Sequence, residues 1–110
     1  MNQAIHNRLV RLAQSRQTTS YTEIAPLAGL DMRRSGCRSK IGKILDEISV
    51  YEHSRGRPLL SAIVLHADDA SPGPGFFALA RTLERYSGDD ERSDRQFLGS
   101  EIKSVWDQWK

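Results

Sequence analysis

Ile5, Leu9, Leu12 and Ala13 recur at three- and four-residue steps, so they line one side of a helix over roughly residues 3 to 16, with Arg8, Arg11 and Arg16 outside. The polar run Gln17-Thr18-Thr19-Ser20 ends that period, and the β-favouring Thr18, Thr19 and Tyr21 predict a very short strand. A second helix is expected from Thr22, an N-cap residue with Glu23 in the following turn. Its apolar face, Ile24, Leu27 and Ala28, lasts about two turns before Gly29 offers a left-handed stop. Pro26 is tolerated because it falls in the first turns, where few amide donors are needed.

After Gly29-Leu30-Asp31 the chain becomes basic, from Arg33 to Lys43, and then strongly periodic. Cys37, Ile41, Ile44, Leu45, Ile48 and Tyr51 share one face of a long third helix, capped at Ser35 and ending near His53 or Ser54, which leaves Arg38, Lys40 and Lys43 free to point elsewhere. Short helix, turn and long helix form a helix-turn-helix order. Gly56 and Pro58 close the helix, and residues 59 to 66 read as a mostly buried strand. The Gly- and Pro-rich loop at 68 to 75 and the return of Phe76 and Phe77 then suggest a β-hairpin wing, although residues 76 to 83 suit a helix as well. Residues 87 to 95 are polar and expected to be a mobile loop. Leu98, Ile102, Val105, Trp106 and Trp109 mark a last helix. The expected fold is α+β, mostly α: one winged helix-turn-helix domain over 1–110, with its core in 1–86, an acidic loop at 87–95 and a C-terminal helix at 96–110.

A chain of 110 residues with 38% hydrophobic content has enough apolar surface for one core and not comfortably two. Its longest aliphatic run, Ala62-Ile63-Val64-Leu65, is too short to cross a bilayer, and no signal-peptide core opens it, so a cytoplasmic protein without a membrane partner is expected. The single Cys37 allows neither an internal disulfide nor a cysteine metal site, which fits a reducing compartment. Net charge is only +2, but residues 1 to 60 carry ten Arg/Lys against five Asp/Glu, while residues 61 to 110 carry six against nine. A basic face opposed to an acidic one is the footprint of a polyanion binder.

Catalytic and metal chemistry find little support. His6, His53 and His66 fall on three different elements with no i, i+4 pair, so no metal or cofactor is expected. Glu52-His53 and Asp68-Asp69 are adjacent pairs whose side chains diverge by about 100° on a helix. Ser61 and His66, five residues apart along an extended strand, would stand about 16 Å from each other. Cys37 has basic neighbours, Arg34, Arg38 and Lys40, that favour a thiolate, but its place in the apolar stripe favours packing.

Ser20-Tyr21-Thr22-Glu23-Ile24-Ala25 resembles the Ser-Tyr-Gly-Glu-Leu/Ile-Ala signature that opens the helix-turn-helix of the O6-alkylguanine DNA alkyltransferases and alkyltransferase-like proteins. Ile41-Gly42-Lys43-Ile44-Leu45 is similar to the Val-Gly-x-Ala-Leu core of that family's recognition helix, and the likeness spans roughly residues 17 to 77. The resemblance implies a winged-helix scaffold and places Tyr21 at a DNA backbone. It does not carry over the chemistry: the region of the family's Pro-Cys-His-Arg acceptor reads Arg57-Pro58-Leu59-Leu60-Ser61, and the place of its base-displacing arginine holds Ser39, between Arg38 and Lys40. Residues 56 to 62 and 72 to 77 also resemble small bacterial proteins of unassigned activity.

The expected function is therefore non-catalytic binding of double-stranded DNA through the basic third helix and the wing, with Tyr21, Arg33, Arg34, Arg38, Lys40 and Lys43 at the phosphates. The alternative is a protein-interaction module, an inhibitor, immunity or assembly factor, whose partner meets the wing and C-terminal helix through Phe76, Phe77, Trp106 and Trp109. Two tryptophans so near the end of the sequence either close the core or bind a partner, and closure is favoured because a terminal helix must be tied down to stay ordered.

Overall fold

The Asn2 side chain accepts the Ile5 amide at 3.0 Å and starts the first helix, α1 (Gln3–Gln14), which buries Ile5, Leu9 and Ala13. The structure, a computed structural model, describes residues 1–110. Strand β1 (Thr19–Ser20) leads directly into α2 (Tyr21–Ile24). Ser20, rather than the expected Thr22, caps α2 by accepting the Glu23 amide at 3.2 Å. A 3-10 turn over Ala25–Ala28, with Pro26 at its start, continues α2 until Gly29 turns left-handed at φ 71°.

The long helix is α3 (Cys37–Ser54). Gly36, at φ 85°, occupies its N-cap, so Ser35 is not the cap and no side chain covers the first amides. The buried face carries Cys37, Ile41, Leu45, Ile48, Ser49 and Glu52, while Ile44 is half-buried and Tyr51 is exposed. The packed side is thus turned slightly from the purely apolar stripe, because two polar residues, Ser49 and Glu52, find hydrogen-bond partners inside.

Beyond α3 the expectation of a strand and hairpin fails. Leu60–Ile63 wind into a 3-10 turn and only β2 (Val64–Leu65) is extended. It pairs with β1 in parallel, Thr19 opposite Val64 and Ser20 opposite Leu65. Parallel neighbours need a long crossover, and here α2 and α3 provide it. The segment expected to return as the wing's second strand is α4 (Pro74–Thr82), opened by Pro74, whose fixed φ and missing amide suit a first helical position. There is no β-hairpin wing.

The acidic loop is also shorter than expected. Asp90 accepts the Ser93 amide at 2.7 Å and begins α5 (Glu91–Gln108), with Glu91 and Asp94 in the first turn where the helix dipole favours negative charge. Most of residues 87–95 is therefore the solvent-facing start of the last helix, and that helix begins before residue 96.

All five helices contribute to or pack against one apolar cluster centred on Ile5, Leu9, Ile41, Ile48, Leu60 and Ile63. Two buried carboxylates tie elements together. Glu101 of α5 accepts the Leu59 amide at 3.0 Å and a two-pronged bond from Arg85, both arms 2.8 Å. Glu52 of α3 holds His6 and Arg57. No helix is long and apolar enough to cross a membrane.

Candidate nucleic-acid interface

The N-terminal end of α3 projects its charges outward. Arg33, Arg34, Arg38, Lys40 and Lys43 are all exposed. Arg33 is engaged by Asp31, which accepts from its Nε at 3.1 Å, from its Nη2 at 2.9 Å and from its backbone amide at 2.9 Å. These hydrogen bonds lower the Asp31 pKa to about 2. The other four cations have no carboxylate within ion-pair reach. The first turn of α3 has no acidic residue, and its leading amides lack a side-chain cap, so they add positive potential at the same end.

These charges do not form one stripe. At about 100° per residue, Lys40 and Lys43 lie roughly 140–160° around the helix from Arg38. Arg38 instead begins a second row, Arg38, Gly42 and Asp46, spaced by four residues along one wall of a cleft of about 340 Å³. Tyr21 and His66 line the same cleft, and Leu45 and Phe76 are apolar lining. A volume of this size is within the usual range for small-ligand sites.

The aromatic wall follows from the sheet register. Ser20 and Leu65 are the last paired residues, and the next two, Tyr21 and His66, stack with ring centroids 4.5 Å apart and planes 28° from parallel. The Tyr21 hydroxyl accepts the Gly73 amide at 3.2 Å, which fixes the loop before α4 against the cleft. Burial raises the Tyr21 pKa; the Gly73 amide opposes that shift and the Asp46 charge adds to it. The pKa of Asp46 is also raised, by burial, and its half-buried carboxyl takes no hydrogen bond from another protein group. At Gly42 an added Cβ would meet no heavy atom within 4 Å, so the middle of the α3 wall is open.

The structure divides the residues expected to act. Tyr21 and Arg38 meet at the cleft; Arg33, Arg34, Lys40 and Lys43 lie outside it, with Arg33 bordering a shallower depression that Arg38 also lines. Phe76 belongs to the core, and Phe77 packs edge-on against it at 5.3 Å. Trp106 donates its Nε1 hydrogen to the Gln17 carbonyl at 3.1 Å and carries Arg16 over its ring, while Trp109 packs beneath Arg57. Of the four aromatic residues named for a protein partner, Phe76 is buried and Phe77, Trp106 and Trp109 are half-buried against the core. Cys37 is buried, as its stripe position implies.

Asp46 and His66 were not among the expected site residues. The spacing Arg38, Gly42, Asp46 is visible in the sequence, but nothing in it shows which flank of α3 faces a cleft. Ser61 and His66 border this same cleft because the 3-10 turn draws in a segment expected to be extended. Ser61 is not free for chemistry: its hydroxyl is paired with that of Ser49 at 2.6 Å, and its amide also donates to Ser49. No three His, Cys, Asp or Glu side chains gather as they would around a metal ion.

Comparison with protein-family models, curated proteins and solved structures gave no match to this chain.

Proposed function

We propose that the protein binds double-stranded DNA without chemistry of its own, holding phosphates at the N-terminal end of α3 and receiving an unstacked base in the adjoining cleft. The observation that carries this reading is the set of four exposed cations, Arg34, Arg38, Lys40 and Lys43, with no carboxylate in ion-pair reach. Phosphates supply the countercharge that the protein does not, and releasing their counterions drives association. Arg38 joins the two parts, standing both at the charged helix end and at the cleft. The Tyr21–His66 stack offers a flat wall of the kind on which a displaced base rests. The likeness of residues 20–25 to the alkyltransferase signature supports the same reading, and the absence of a cysteine from the cleft lining leaves it without an acceptor.

Anisotropy of a labelled duplex, measured across a salt series, tests the proposal. Each phosphate contact contributes about 0.9 to the slope of log K against log salt, so replacing all four cations with alanine is expected to flatten that slope by about 3 to 4. Wild-type binding that ignores salt, or a quadruple variant that binds as well as wild type, would exclude this function.

A further inference from the structure

We infer that Asp46 selects what enters the cleft, favouring a base whose edge carries an exocyclic amino group, as guanine, cytosine and adenine do, over thymine. The inference rests on the proposed entry of a base and goes beyond it by naming the edge that is read. Asp46 lines the cleft on the same row as Arg38, two helical turns or about 12 Å along α3, with only Gly42 between them. Arg38 therefore marks the end that meets an anion, and Asp46 the end that an inserted ring reaches. The open position at Gly42 leaves room for a planar group beside the backbone of α3, in a cleft that the stacked Tyr21 and His66 also line.

Asp46 is the one carboxylate that lines the cleft, and no protein donor engages it. Ser61 is paired with Ser49, and the Tyr21 hydroxyl holds the Gly73 amide. Asp46 is half-buried and takes no hydrogen bond from the protein, and that partial burial raises its pKa, the expected sign for a carboxyl that lost some of its water without gaining a partner. An ionised carboxylate only accepts hydrogen bonds. An amino group satisfies it, and guanine supplies two neighbouring donors at once. Thymine presents a single N–H between two carbonyl oxygens, and those oxygens face the carboxylate unfavourably.

The test is a titration with the 5′-monophosphates dGMP, dCMP, dAMP and dTMP, following the backbone amide resonances of Gly42 and Gly73. Wild-type protein is expected to bind the three amino-bearing nucleotides about tenfold more tightly than dTMP, the ratio that one charge-assisted hydrogen bond supports. In Asp46→Asn, whose amide both donates and accepts, the ranking should collapse to within about twofold. A thermal melt like that of wild type shows that the variant is folded. Equal binding of all four by wild type, or an unchanged ranking in Asp46→Asn, overturns the role of Asp46 while leaving base entry intact. If none of the four moves the Gly42 and Gly73 resonances, base entry fails as well. A parallel arm uses duplexes with one unpaired guanine or thymine. Discrimination there assigns the selectivity to a base held in DNA, and discrimination by mononucleotides alone assigns it to a free nucleotide.

Discussion

His6 and Glu52 meet across the contact between α1 and α3, with the imidazole Nε2 2.6 Å from Oε1 of a carboxylate that is fully buried. Arg57 takes the other carboxylate oxygen, and its guanidinium lies 5.8 Å from the Tyr51 ring centre and 5.3 Å from that of Trp109. Glu52 thus joins α1, α3 and the chain beyond α3, and Arg57 extends the contact to Trp109 at the end of α5. Removing one member of a buried ion pair costs roughly 3–5 kcal/mol, because the remaining charge keeps its desolvation penalty. Glu52→Gln is accordingly expected to lower unfolding stability by about 3 kcal/mol, measured by urea denaturation. A loss under about 1 kcal/mol would show that His6 and Arg57 find water or other partners easily.

Gly42 is the reverse case, a helix-interior glycine with open space beside it. Gly42→Ala should stabilise the protein by roughly 0.5–1 kcal/mol through the lower backbone entropy of its unfolded chain. Gly42→Leu should keep the fold and fill the cleft, abolishing nucleotide-induced shifts at Gly73. Retained shifts in that variant would mean that ligands bind elsewhere.

Asp31 supplies a pH prediction. Its folded-state pKa is depressed to about 2 by Arg33, so its contribution is present above the ordinary carboxylate pKa of about 3.9 and fades as pH falls through about 2. A carboxyl-detected NMR titration should find that low midpoint, and Arg33→Ala should return it toward the ordinary value. Because Asp31 also neutralises a cation beside the proposed DNA face, Asp31→Asn should tighten duplex binding severalfold at low salt. Unchanged or weaker binding would place Arg33 away from the phosphates.

Tyr21→Phe removes the acceptor of the Gly73 amide while keeping the stacked ring. Stability should fall by about 1 kcal/mol, the net worth of an ordinary hydrogen bond. Hydrogen exchange localises the effect: the Gly73 amide should exchange faster in the variant, with little change in α1 and α5. Uniform acceleration through the molecule would point to a wider role for the hydroxyl.

Where side chains recur with a helical period, the sequence was an accurate guide. α1 and α3 fall within two residues of their expected limits, and the break at Gly29 is in place. Residues 59 to 66 misled because a short, fully buried apolar run has no period with which to separate a strand from a 3-10 turn. Residues 91 to 95 misled for the opposite reason: the exposed first turn of α5 contains charged and polar residues, and the sign that a helix starts there is the cap at Asp90. The cationic end of α3 was legible as charge. The cleft was not, since its walls come from α3 and from the residues that follow β1 and β2, and only the pairing of those strands brings Tyr21 to His66.

That pairing joins residues 45 positions apart in the chain through only two rungs. So small a ladder gives little enthalpy against the entropy of closing so long a loop, and α2 and α3 must already be in place to shorten the search. The sheet is therefore expected to form late in folding, with the Tyr21–His66 stack, its next rung, later still. Ring-current shifts on Tyr21 would time that closure in a refolding experiment, making the aromatic wall a built-in clock for the last stage of assembly.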